Sequence, residues 1–227
     1  IIDYTYKIIC HFKTFRTFFS ETQMKIRYLG HSSFLLMGSD KSVVTDPFSG
    51  IGYDMERVTC DYCTVSHGHF DHSAVNFVNA RKIITDSEDG FAAIESYHDP
   101  KGGIERGKNK IFVFSVDGIR FCHMGDVGEY FSERLAVEIG SPDVLFIPVG
   151  GNYTIDYREA IKYADAIKAK ITVPMHYKTA KSDLDIDGVQ PFLKHEKCVE
   201  RVGEEIELTK ETLPTEESVY VFDDKNF

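Results

Sequence analysis

Residues 66–73 read SHGHFDHS, which packs His67, His69, Asp71 and His72 into six consecutive positions. Crowded polar side chains cost free energy on burial unless something shared satisfies them. Imidazole and carboxylate are ligands of zinc and, to a lesser degree, of iron or manganese. In extended chain, side chains at i and i+2 point the same way. His67 and His69 can therefore reach one cation from the end of the run CTVSH, while Asp71 and His72, where the chain turns, can face a second cation.

Two cations need more ligands than these four. The downstream candidates are His98, His123, Asp126 and His176. HMGDVGE puts Asp126 in a glycine-flanked turn, where a carboxylate can bridge two metals, and VPMHYKT puts His176 at the end of a strand. A lone histidine at a strand end is more often an ordinary hydrogen-bonded residue. Its occurrence together with HxHxDH shifts the balance toward a ligand.

These residues need elements to position them. KIRYLG, SSFLLM, SVVTDP and CTVSH read as strands. SAVNFVNA (73–80) has a helical apolar face, with Asp71 to Ser73 placed to open a helix. KIITDS reads as a strand, and IFVFSVDGIRFCH as a hairpin turning at Asp117-Gly118. SERLAVEIG predicts a helix closed by Gly140. DVLFIPVGG predicts a buried strand, DYREAIKYADAIKAK an amphipathic helix and ITVPMH a strand, with a last helix beginning in VQPFLKHE. Two sheets packed face to face, with helices on their outer faces, satisfy this order.

The chain has 227 residues, 42% of them hydrophobic and 13% aromatic, enough for one large domain. Lys plus Arg number 26 and Asp plus Glu 36, a net charge of −10 that speaks against binding nucleic acid or an anionic membrane surface. No apolar run approaches the roughly 20 residues of a membrane span. Cys60 and Cys63 form a CxxC, but no second CxxC accompanies it. Reduced, buried thiols in a cytoplasmic protein are the expectation. Residues 1–23 are aromatic and mildly basic. They are expected to form an extension outside a catalytic domain that runs over 24–227.

HxHxDH, a later histidine, GD after a strand and a terminal PMH together resemble the metallo-β-lactamase superfamily. YLGHSSFLL, TDPF, VGGNYT and PMHYKT narrow the resemblance to its small metal-dependent hydrolases of the ascorbate-6-phosphate lactonase-like branch, from Met24 to about Leu193. The resemblance implies a four-layer αββα sandwich. It also implies one metal held by His67, His69 and a third histidine, a second held by Asp71, His72 and His176, and Asp126 as the bridge. SYHDPKGGIERGKNKIF looks like the segment that carries the third histidine, which makes His98 the choice and His123 the rival, with His123 otherwise supporting the site from behind. Asp46 is implied to orient a metal-bound histidine. His31 is expected near the metals, in the substrate pocket or in a structural hydrogen bond.

Two divalent ions, expected as zinc with manganese or iron as alternatives, bring the pKa of a bound water from 15.7 to about 7. Asp71 can hydrogen-bond the attacking water as well as ligate. Zinc does no redox chemistry, so hydrolysis of a small-molecule ester or lactone is the natural reaction, with a phosphodiester as the alternative and a non-catalytic metal scaffold as the rival from another class. The flavodiiron relatives carry glutamate at the place of His69, and the RNA-processing relatives carry a basic arm that is not apparent in this chain. Tyr177, Lys178 and Thr179 are candidates for contact with an anionic substrate group, or are solvent-facing. VGGNYT is a candidate for the pocket mouth. The expected partner is a small molecule, with a homo-oligomer possible.

Overall fold

A computed structural model describes residues 23–223. The expectation that residues 1–23 form an extension falls almost wholly outside the described residues. In chain order the elements are β1 (Met24–Gly30), β2 (Ser33–Met37), β3 (Ser42–Thr45), β4 (Val58–Thr64), a 3-10 turn (Val75–Phe77), β5 (Val78–Ile84), β6 (Ala92–Tyr97), β7 (Lys108–Val116) and β8 (Ile119–His123). They continue with α1 (Glu133–Ile139), β9 (Val144–Pro148), α2 (Tyr157–Ile167), β10 (Ile171–Met175), α3 (Gln190–Leu193), β11 (Val199–Val202), β12 (Glu205–Leu208) and β13 (Ser218–Phe222).

The strands form two sheets, of order β12-β1-β2-β3-β4-β5 and β11-β13-β10-β9-β8-β7-β6. Their facing surfaces enclose a core that includes Ile26, Phe34, Leu36, Phe112, Phe121, Phe146 and Val173. Alternation along β1 sends Met24, Ile26 and Tyr28 inward while Lys25 and Arg27 stay at the surface. The far face of the second sheet packs against the helices through Leu135, Ile139, Ala160, Tyr163, Ile167 and Phe192. Ser132 caps α1 and Asp156 caps α2 by accepting backbone N–H bonds, and Gly140 closes α1 at a φ of +70° as expected. The outer face of the first sheet is covered differently. Among the described residues Phe48, Ile51 and Met55, on the irregular stretch after β3, pack there with Phe77 of the 3-10 turn.

The expected helix over 73–80 is not formed. Val75–Phe77 makes only a 3-10 turn, and Val78, Asn79 and Ala80 already pair in parallel with Val58, Thr59 and Cys60 of β4. Ser73 does not open a helix; its hydroxyl donates to His69 O. Pairing along a whole strand outweighs a short stretch of helical periodicity.

The topology decides where chemistry is possible. β2 runs antiparallel to both β1 and β3, and β3 runs parallel to β4, so β1, β3 and β4 all point the same way. In the second sheet β6, β8, β9 and β10 share one direction for the same reason. Their C-terminal ends deliver His31, Asp46, the 66–73 segment, His98, Asp126 and His176 to one rim. Cross-sheet bonds close this rim: His176 N donates to His31 O at 3.3 Å, Lys110 N to Ser66 O at 3.0 Å and His123 Nε2 to Ser32 O at 2.8 Å.

Candidate metal centre

β4 ends at Thr64, so His67 and His69 stand on a loop beyond the strand. That loop is fixed by Asp46, which follows β3 with a φ of +36°. Asp46 Oδ1 accepts Ser66 N at 2.8 Å, and Oδ2 accepts the Ser66 hydroxyl at 2.5 Å and His72 Nδ1 at 2.9 Å. The Ser66 hydroxyl, having donated to Asp46, accepts from His67 Nδ1 at 2.9 Å. Both imidazoles thus donate from Nδ1 and turn Nε2 toward another partner. His72 N donates to His69 O at 3.0 Å, which turns the chain after His69.

Asp126 occupies the middle. Its carboxylate lies 3.8 Å from His67 Nε2, 3.1 Å from His98 Nε2, 3.0 Å from His72 Nε2 and 3.3 Å from His176 Nε2. Its backbone N–H is held at 2.9 Å by Asn109 Oδ1, and Asn109 Nδ2 donates in turn to Ser96 Oγ and Met124 O. Gly125 permits this turn: its φ is +54°, and a Cβ there would lie 2.6 Å from that of Ser66.

Among the described residues three groups have ligand atoms within 4.8 Å of one another: His67, His69 and His98; His31, Asp71, His72 and His176; and Asp46, His67 and His72, the last held together by the Asp46 hydrogen bonds above. Every ligand candidate of the sequence joins one of these groups or, as Asp126, lies between them, except His123. Its Nε2 donates to Ser32 O and its Nδ1 accepts Gly125 N at 3.2 Å, so both ring nitrogens are committed. His98, not His123, stands beside His67 and His69.

The donor set suits divalent cations. His67 Nε2, His72 Nε2, Asp126 Oδ1 and both nitrogens of His31 and His176 are buried without a hydrogen-bond partner. A buried cluster of lone pairs around one carboxylate is what a cation satisfies. Burial drives the His67 pKa down to about 3, and burial with His176 beside it takes His31 to about 4. Both rings are then neutral, the ligating form. Burial also disfavours charge on His72, but Asp126 and Asp46 overcome it and hold its pKa well above 6.5. Burial likewise works against the Asp126 carboxylate, and His176 and His72 overcome it and hold its pKa far below normal.

A cleft of about 300 Å³ opens onto the centre, lined by His69, Phe70, Asp71, His98, Arg106, Asp126, Tyr153 and Leu184. Tyr153 bears out the expectation that VGGNYT reaches the mouth. Tyr177 and Lys178 do not line it: Tyr177 packs with the helices, and Lys178 Nζ donates to Leu184 O at 2.6 Å, bracing the loop that brings Leu184 to the cleft. Lys178 is solvent-facing, the other of its two expected places, and Arg106 is the cationic side chain in the lining. Its guanidinium lies over the Tyr153 ring at 5.6 Å. Asp99 accepts Lys101, Gly103, Glu105 and Arg106 N–H groups, shaping the loop that presents both His98 and Arg106. Cys60, Cys63, Cys122 and Cys198 are free thiols, and burial lifts Cys60 to about 11.

Residues 25–176 match the family described as Beta-lactamase superfamily domain. The chain belongs to that family. A UPF0173 metal-dependent hydrolase of Methanospirillum hungatei is 35% identical over 186 residues, covering 69% of this chain and 84% of the relative. One from Archaeoglobus fulgidus is 33% identical over 195 residues, with 69% and 84% covered. The crystal structure of a candidate Zn-dependent hydrolase of the metallo-β-lactamase superfamily from Thermotoga maritima is similar at 37% identity and a TM-score of 0.72, covering 88% of this chain and 98% of that one. The chain is a metal-dependent hydrolase of the metallo-β-lactamase fold. Among the described residues of this hydrolase, no helix is long and apolar enough to cross a membrane.

Proposed function

We propose that this hydrolase uses two divalent cations, zinc by preference, to cleave an ester or lactone bond in a small molecule. The observation that carries the reading is Asp126, whose one carboxylate lies within 3.8 Å of His67 and His98 on one side and of His72 and His176 on the other. His67, His69 and His98 would hold the first cation, Asp71, His72 and His176 the second, and Asp126 both. Cations bound there supply Lewis acidity and lower the pKa of a water in their reach toward 7.

The protein's own groups do the rest. Asp46 holds the Nδ1 proton of His72 directly and that of His67 through Ser66, so that neither ring can turn. Burial opposes charge on Asp71, but the neighbouring His72 favours the charged form and its carboxylate stays ionised, ready to accept a hydrogen bond from water. Phe70, Tyr153 and Leu184 offer an apolar wall, and Arg106 offers one cation to the far end of the substrate. A compact molecule with an apolar body and an anionic group fits this lining. Arg106 also favours a second reading, hydrolysis of a phosphodiester.

Metal-loaded protein assayed against lactones, carboxylic esters, thioesters and phosphodiesters tests the proposal. Turnover of an ester or lactone that disappears in both His67→Ala and Asp126→Ala is expected, with about two equivalents of metal by elemental analysis. A fully loaded protein that turns over no member of the panel would favour the scaffold.

A further inference from the structure

His31 has no place in the ligand sets above, yet it is built as though it had one. It stands in the turn between β1 and β2 with a φ of +53°, a conformation that side-chain-bearing residues rarely adopt. Its carbonyl is fixed by Tyr28 Oη at 3.2 Å and by His176 N at 3.3 Å, so the backbone has little freedom to move the ring. The residue is 2% exposed, and neither ring nitrogen has a hydrogen-bond partner. A buried imidazole left so is costly unless something else takes its lone pair.

The neighbours say what that is. His31 Nε2 lies 3.7 Å from Asp71 Oδ2, and the ring centroid is 4.3 Å from that of His176 and 5.2 Å from that of His72. His123 is a useful contrast: equally buried on the same rim, it has a fixed partner at each nitrogen. Resting on the two-cation reading above, we propose that His31 is a further imidazole ligand of the second cation, beside Asp71, His72 and His176.

The two positions then differ in kind. Protein donors at the second are His31, Asp71, His72 and His176 with a share of Asp126. The first has His67, His69, His98 and a share of Asp126. The first position thus has one protein donor fewer than the second, which leaves it more room for a further ligand. The cleft touches both sets: His69 and His98 of the first line it, as does Asp71 of the second, whereas His31, His72 and His176 lie behind it.

The test is a count of metal-bound imidazoles. Full-length chain labelled with 15N-histidine and loaded with two equivalents of 113Cd2+ should show six rings whose nitrogen is coupled to cadmium: His31, His67, His69, His72, His98 and His176. His31→Gln, checked for native fold by circular dichroism, should lose one coupled ring and bind one of its two cadmium equivalents at least about tenfold less tightly, with the other unchanged. Five coupled rings in the unaltered chain, with His31 free, would overturn the proposal while leaving two cations in place. No coupled ring at all would overturn the two-cation reading along with it.

Discussion

Asp46 touches no substrate, yet its two oxygens set the direction of His72 and, through Ser66, of His67. Asp46→Asn keeps the size and removes the charge that holds both Nδ1 protons. Metal affinity should fall roughly 10- to 100-fold, measured by chelator competition, with little change in the far-ultraviolet spectrum. Protons offer a second check. The carboxylates of Asp126 and Asp46 hold the His72 pKa well above 6.5 against the opposing effect of burial, so the metal-free ring is charged at pH 7. A cation must expel that proton, so uptake releases protons and affinity rises with pH up to the raised pKa. Calorimetry in buffers of different ionisation enthalpy should show the release, and buffer-independent heats would contradict it. HxHxDH was legible because its residues are contiguous and chemically unusual. Ser66 and Arg106 were not, since their roles depend on Asp46, 20 residues away in sequence, and on a loop shaped by Asp99.

Strand ends carry the site, and the turns after them set how well it is aimed. Gly125→Ala puts a methyl group against Ser66 and Asn109 in a backbone conformation with φ at +54°. The expected cost is about 1–3 kcal/mol from thermal or denaturant unfolding, with a larger proportional loss of metal affinity because Asp126 is displaced. Most strands before His176 could be read from apolar runs and turn residues, as could the Asp117-Gly118 hairpin and the Gly140 cap. The stretch 73–80 misled because Ala74, Val75, Phe77 and Val78 recur at helical spacing, while the deciding contact lies with β4. β6, β11, β12 and β13 left little trace. AAIESY, VERV and EIEL mix charge with apolar residues, and β12 is recognisable only once it pairs with β1, where Lys25 meets Glu205 at 3.1 Å and Glu207 at 3.0 Å.

On the scale of the molecule, the two sheets meet through an aromatic core. Phe34 stands 4.2 Å from Phe146, 5.2 Å from Tyr28 and 5.8 Å from Phe222, ring centre to ring centre. Phe34→Ala should cost about 3–5 kcal/mol, read from the shift in denaturant midpoint at unchanged slope. The pairing of sheets was predictable from the alternation of strands and helices. The irregular cover of the first sheet was not, because Phe48, Ile51 and Met55 sit in a stretch without periodicity. The rim has a further consequence. His67 and His69 come from the first sheet and His98 from the second, and Asp71 and His72 likewise face His176 across the seam. Each ion bound there acts as a rivet between two plates. At a hundred times its dissociation constant, a cation that ignores the unfolded chain adds about 2.7 kcal/mol to stability, so the melting temperature should climb with added metal and drop after chelation. Protein starved of metal then has a weak seam as well as an idle cleft, and limited proteolysis should find its first cuts in the loops along that rim.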